Sequence, residues 1–179
     1  MKHFILNRFV DRQERFLGVE LPYMRQVVTS APSAMLPIGL FIPASSYGRH
    51  VPSDVLNIIR LSATKAQDCG ECMQIAVNHS LKAGMSPELL RAAIHGRVDD
   101  LSGPLADAFL FGQGVASGLD VTTEREVLRD HFGERGVIEA SLAASTSLLF
   151  PALKRGMGFA LACDIETLAH SLQSEDMGG

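Results

Sequence analysis

The chain has no tryptophan, and aromatic residues make up only 6% of its 179 residues. Proteins that bind single-stranded nucleic acid stack bases on aromatic side chains, which this composition barely supplies. The sequence also lacks a lysine- or arginine-rich run, and its formal net charge is −4. Because affinity for nucleic acid comes largely from clustered cations that neutralise phosphates, we expect no nucleic-acid partner.

Long uninterrupted hydrophobic runs are absent as well, and we expect no secretory leader. The longest apolar stretch, residues 31–44, is interrupted by Pro32, Pro37 and Pro43. It is too short and too broken to cross a bilayer. The first residues alternate charged and apolar side chains, unlike a secretory signal. We therefore expect no membrane partner and a cytoplasmic location.

Cysteine is also scarce. Three cysteines are too few for a disulfide framework, and 46% hydrophobic residues suffice to bury a core without one. Two of them lie in the tetrapeptide Cys69-Gly70-Glu71-Cys72. In a reducing cytoplasm, thiols at this spacing are typical of redox-active dithiols or of metal sites. The third, Cys163, follows apolar residues and is interpreted as a core side chain.

Hydrophobic periodicity predicts helices along almost the whole chain, and no alternating run favours a strand. We predict an all-α fold with an N-terminal helical arm over residues 1–50, a domain over residues 51–170 and a frayed tail over residues 171–179. Ser53 is expected to cap the helix before the cysteines. Asp68 is expected to cap a helix that starts at Cys69, and Thr123 to open a capping box.

The position at a helix start bears on the chemistry of the thiols. Cysteines in a first helical turn face free backbone N–H groups and the positive end of the dipole, which favour the thiolate. The negative charges of Asp68 and Glu71 oppose this effect, and Lys65 partly offsets them. Two other interpretations stay open. The thiols are simply buried apolar side chains, or they bind a metal together with His79 or His95.

Residues 54–88 place a helix before Cys-x-x-Cys, then a second helix, then Lys-Ala-Gly-Met-Ser. This segment resembles the signature of the carboxymuconolactone decarboxylase and alkylhydroperoxidase D-like superfamily, and residues 131–160 are similar to its C-terminal helices. The resemblance leaves the N-terminal arm unexplained. It implies an alkylhydroperoxidase D-like helical bundle, assembly as a homo-oligomer, and no cofactor besides the dithiol.

The redox-active members of that family carry a Glu before the first cysteine and a His after the second. These two groups relay a proton from the attacking thiol. The matching positions in this sequence are Asn57 and Ala76. Asn57 forms hydrogen bonds but takes up no proton, and Ala76 does neither. His79 lies on the helix face of Cys72 but about 10 Å along the axis, so it would act through a water chain.

The leading hypothesis is a thiol–disulfide oxidoreductase or weak peroxidase that acts on a peroxide or disulfide substrate through Cys69, Cys72 and His79. The helix-start argument favours Cys69 as the more acidic thiol. The family pattern instead makes Cys72 attack and Cys69 resolve, and we follow that pattern. An acid from elsewhere in the fold, such as Glu20 or Glu139, would restore a proton acceptor. The alternative is a non-catalytic helical scaffold or oligomeric binding protein that kept the fold.

Overall fold

The computed structural model describes residues 2–159, which form eight α-helices and two short 3-10 helices and contain no strand. The α-helices are α1 (Lys2–Leu17), α2 (Pro22–Ser30), α3 (Met35–Ser45), α4 (Ser53–Ala66), α5 (Gly70–Lys82), α6 (Pro87–His95), α7 (Pro104–Ser117) and α8 (Thr122–Gly156). The predicted all-α class is confirmed. Cys163 and the predicted tail, residues 171–179, lie outside the described residues, and the division into arm, domain and tail stays a prediction.

The main core is built from α4, α7 and α8, which pack against one another. Every residue of α4 from 55 to 64 is buried except Arg60. Close packing of α7 on this helix depends on Gly112, because a Cβ atom there would lie 2.5 Å from the carbonyl oxygen of Ile59. Helix α4 is therefore a central element, and side chains at its surface are held firmly in place.

The arm helices α1, α2 and α3 enclose a second apolar cluster. Its fully or nearly fully buried members include Val10, Val28 and Met35. Ile75 of α5 and Phe150 of α8 pack against the same cluster. The arm is thus joined to the bundle along α5 and α8, and the apolar cavity described below lies at this junction.

Two predicted caps near the cysteines are wrong by one residue. Ser53 is the first residue of α4, and Pro52 occupies the N-cap position without a side-chain hydrogen bond. Cys69, rather than Asp68, occupies the N-cap position of α5. The reason is that Asp68 has a left-handed backbone, with φ of 47°. Asp68 therefore belongs to the turn before the helix, and the N-cap falls on the next residue, Cys69.

The capping box predicted at Thr123 is also wrong. Helix α8 starts one residue earlier, where the N–H and the hydroxyl of Thr122 both donate to Asp120 Oδ1, at 3.0 and 2.7 Å. Gly133 interrupts the helical backbone, with φ of 69°. The helix then resumes and continues through Pro151. The resumed part packs along the bundle, because its apolar side chains face the core.

Within the described part of the chain, α8 is long and apolar enough to cross a membrane. The segments Pro22–Ser30 and Pro32–Ser45 meet the same test as a pair, but they are bent by 119°. Of the qualifying window in α8, 44% is buried inside the protein, as in a core helix. The finding is weak support for a membrane span, and the absence of a membrane partner stays a prediction.

Candidate functional site

The cysteine pair is positioned by the tight turn between α4 and α5. The left-handed conformation of Asp68 leaves Cys69 extended at the N-cap, where its carbonyl accepts the N–H of Met73 at 2.9 Å. Cys72 then falls within the first helical turn. The Cα atoms of the two cysteines are 5.3 Å apart, and their sulfur atoms are at disulfide distance. The pair can therefore open and close as a disulfide without moving the helices.

The two cysteines differ in accessibility. Cys69 is fully buried, whereas Cys72 is 8% exposed and lines a cavity of about 270 Å³. A molecule inside this cavity meets Cys72 first, with Cys69 behind it. Only the second cysteine of the pair is thus placed to react with a solute.

Apolar side chains from the arm and from the bundle form most of the cavity wall. They come from α1, α2, α3 and α8 and from the turn before α2: Phe9, Leu21, Met24, Ile38, Ile42 and Phe150. The N-terminal arm therefore supplies one side of the chamber in which Cys72 lies. Sequence analysis left the contribution of the arm open.

The polar part of the wall includes Asn57 and Arg60 of α4. Asn57 is 2% exposed, and its Oδ1 accepts a hydrogen bond from Arg60 Nη1 at 3.0 Å. Arg60 Nε donates to the carbonyl of Ser45 at 3.2 Å. Ala76 also lines the cavity. The two positions that match the proton relay thus line the same chamber as Cys72, but neither side chain accepts a proton.

His79 lies at the rim of the cavity and also lines a smaller surface hollow beside Phe16. Partial desolvation of the ring lowers the pKa of His79, and the positive charges of Arg60 and Lys82 lower it further. The imidazole is therefore neutral at pH 7 and has a free lone pair. His79 and Cys72 share the cavity, as the helical spacing predicted, and His79 is the one imidazole that the described residues place there.

A buried ion pair lies beside the dithiol. Lys154 of α8, which is 1% exposed, donates to Glu71 and lies 5.2 Å from the centre of the Tyr23 ring. Burial raises the pKa of Tyr23, and the negative charge of Glu71 adds to the effect. Because Lys154 compensates the charge of Glu71, this carboxylate opposes a thiolate at Cys72 less than the sequence alone suggested.

No Asp or Glu side chain of residues 2–159 lines the cavity, and neither Glu20 nor Glu139 reaches it. Glu139 instead accepts hydrogen bonds from the N–H groups of Arg49, His50 and Val51 at 3.0 Å, and from the His50 ring at 2.7 Å. Burial opposes its ionisation, but these hydrogen bonds outweigh burial and lower the pKa of Glu139 to about 2. Its role there is structural.

The metal hypothesis finds no ligand set in the part of the chain that the structure describes. No group of three or more His, Cys, Asp or Glu side chains is arranged to hold one metal ion there. His95, at the end of α6, does not line the cavity with Cys72. A closed zinc site needs four ligands, and metal binding by the cysteine pair stays a hypothesis.

Comparison with known proteins returns no relative: no protein-family model, curated protein or solved structure matches the chain. The function is therefore argued from the site itself.

Three groups of cavity residues were not predicted from the sequence: Arg60, the pair Thr146 and Ser147, and the apolar residues of the arm. Arg60 carried a signal, because it is the one charged residue within an otherwise apolar or neutral stretch of α4. Thr146 and Ser147 carried none, since they lie far along the chain and reach the cavity only through the packing of α8. The same is true of the arm residues, whose apolar periodicity predicts burial but no particular neighbour.

Proposed function

We propose that the protein is a thiol–disulfide oxidoreductase or weak peroxidase with an alkylhydroperoxidase D-like helical bundle. Cys72 attacks the substrate and Cys69 resolves the product. One observation supports this most strongly: Cys72 lines an internal cavity, while Cys69 lies fully buried at disulfide distance behind it. A dithiol whose two members differ in this way suits a two-step exchange, because only the outer sulfur meets the oxidant.

The proposed cycle balances as follows. The Cys72 thiolate attacks one peroxide oxygen, the O–O bond breaks, and the protonated leaving oxygen departs as an alcohol or water. Cys72 is oxidised to the sulfenic acid. The Cys69 thiolate then attacks the Cys72 sulfur, so that the disulfide forms and water leaves. An external dithiol reductant returns both cysteines to thiols by exchange.

In the proposed cycle, we expect removal of the proton from the Cys72 thiol to be the slow step. The first-turn position of Cys72 favours its thiolate, and the pairing of Glu71 with Lys154 removes one opposing charge. His79 is the neutral base that lines the same cavity as Cys72, and it acts through water. Since the usual carboxylate is replaced by Asn57, we expect a lower rate than a full relay would give.

The roles are tested by peroxide consumption in the presence of a dithiol reductant. We expect Cys72→Ser to reduce consumption to the uncatalysed rate. In the absence of the reductant, Cys69→Ser should consume one equivalent of peroxide and stop, since Cys72 is left as a sulfenic acid that a dimedone probe captures. Cys163→Ser serves as the matched control and should turn over normally. Full turnover by Cys72→Ser would show that the roles are assigned wrongly.

A second candidate is a non-catalytic scaffold or binding protein, favoured by the absence of a proton acceptor at Asn57 and Ala76. Thiol titration separates the two functions. Rapid and reversible loss of two thiols under mild peroxide supports the oxidoreductase. Thiols that stay reduced under the same treatment support the scaffold.

Homo-oligomer assembly belongs to the same proposal. Helix α3 presents large apolar side chains to the outside, with Leu36 at 73%, Leu40 at 68% and Phe41 at 45% exposure. A contiguous apolar face of this kind is uncommon on a free monomer surface. We expect light scattering after size-exclusion chromatography to give a multiple of 19.3 kDa, and Leu40→Glu to lower it.

A further inference from the structure

Arg60 lies in the wall of a largely apolar chamber, and residues 2–159 provide no anionic partner for it. Its Nε and Nη1 atoms bind two neutral acceptors, the Ser45 carbonyl and Asn57 Oδ1. No Asp or Glu of residues 2–159 forms an ion pair with it, and its Nη2 atom makes no hydrogen bond within that range. A guanidinium stays protonated at any physiological pH, so the positive charge is permanent.

The surroundings of Arg60 add to this positive character. His79, which lines the cavity, is neutral, and Lys82, which lines the adjacent surface hollow with His79, is positive. The Lys82 ammonium donates to the Phe16 carbonyl rather than to an acid. The buried pair of Glu71 and Lys154 contributes no net charge. A partly buried cation in such a place is costly unless an anion joins it, and the described residues supply none.

The size and the walls of the cavity define the rest of the ligand. A volume of about 270 Å³ far exceeds what hydrogen peroxide needs, since one water takes up about 30 Å³ of liquid. The arm contributes aliphatic and aromatic side chains to the walls of this cavity, among them Phe9, Ile38 and Ile42. Such walls favour an apolar organic body and reject a second charge.

We propose that this cavity binds an amphipathic monocarboxylate, whose carboxylate pairs with Arg60 and whose apolar body lies against the arm. This inference rests on the proposed function for its second half: the substrate of Cys72 is an organic hydroperoxide that carries such a carboxylate. The peroxide then loses one oxygen to Cys72 and leaves as the corresponding hydroxy acid. Arg60 is a specificity residue, because it holds the end of the substrate that does not react.

Binding is tested first with unreactive probes, decanoate and its uncharged counterpart decanol, by calorimetry on Cys72→Ser protein. We expect decanoate to bind at least about 10-fold more tightly, as a charge-assisted hydrogen bond provides. Arg60→Gln should abolish that preference and Arg60→Lys should keep part of it. Equal affinities of the two probes, or a preference that survives in Arg60→Gln, would overturn the inference.

A cavity-filling variant guards against loss of folding in the arginine variants. Gly39 lines the cavity, and a Cβ atom there has no neighbour within 4 Å, so Gly39→Leu extends into empty space. We expect it to weaken both probes while thermal unfolding stays unchanged. Undiminished binding in Gly39→Leu would place the ligand elsewhere and refute the proposed site.

Turnover is then compared for cumene hydroperoxide and its 4-carboxy derivative, which differ only by the carboxylate. The wild-type kcat/KM should favour the carboxylate at least about 10-fold, and Arg60→Gln should remove the difference. If decanoate binds through Arg60 but neither peroxide is consumed, the redox function fails and the carboxylate site stands. If both peroxides are consumed equally, the redox function stands and the substrate assignment fails.

Discussion

Glu139 and Arg60 are both charged side chains inside the helical bundle, and the fold surrounds them in opposite ways. Glu139 is 1% exposed and accepts hydrogen bonds from three backbone N–H groups and the His50 ring. Arg60 meets two neutral acceptors and no acid of residues 2–159. Because a buried charge is costly unless it is paired, the first arrangement holds the loop before α4 in place. The second arrangement leaves the positive charge of Arg60 available to attract an anionic ligand.

We expect the largest effect from a substitution of Glu139, the charged side chain that is fully hydrogen-bonded. Glu139→Gln removes the charge that the N–H groups and His50 surround, and we expect the free energy of unfolding to fall by on the order of 3 kcal/mol. Urea denaturation measures this loss. Glu134→Gln, at an exposed position of the same helix, is the control and should change stability by less than about 0.5 kcal/mol. Equal stabilities of the two variants would contradict the structural role of Glu139.

Acid titration of stability sharpens the same point. The pKa of Glu139 is lowered from 4.5 to about 2 in the folded protein. Its contribution is therefore complete above pH 4.5 and is lost as the pH falls toward 2. We expect the wild type to lose stability through this window and Glu139→Gln to lose less. Parallel pH profiles for the two proteins would show that Glu139 is not the group responsible.

We expect the smallest effect at Arg60, whose charge has no acid partner within residues 2–159. Arg60→Met keeps an unbranched apolar stem and removes the desolvated charge, so we expect stability to stay constant or to rise by up to about 1 kcal/mol. Thermal unfolding of the ligand-free protein measures it. A loss of about 2 kcal/mol or more would mean that Arg60 already has a strong partner, and the comparison with Glu139 would collapse.

The sequence predicted the helices well and the contacts between them poorly. Hydrophobic periodicity predicted an all-α chain, because it depends on neighbours a few residues apart. The caps predicted at Ser53 and Asp68 were wrong by one residue and the cap at Thr123 by two, since a cap is decided by the conformation of the turn before it.

In the candidate site, too, local geometry was predictable from the sequence and long-range contacts were not. The spacing of Cys69 and Cys72 predicted their proximity, because three residues at a helix start leave little freedom. The chamber around Cys72 was not predictable, since its walls join residues as distant as Phe9 and Phe150. The partners of Glu139 lie 88 to 90 residues away, so its burial as a structural anion left no mark on the local sequence.

Peptide mapping of the reduced protein after one equivalent of 4-carboxycumene hydroperoxide tests the central claim most directly. The account predicts that Cys69 and Cys72 are recovered as one disulfide, that one peroxide is consumed for each disulfide formed, and that Cys163 stays alkylatable. Recovery of Cys69 and Cys72 as free thiols, or oxidation of Cys163 ahead of them, would contradict it.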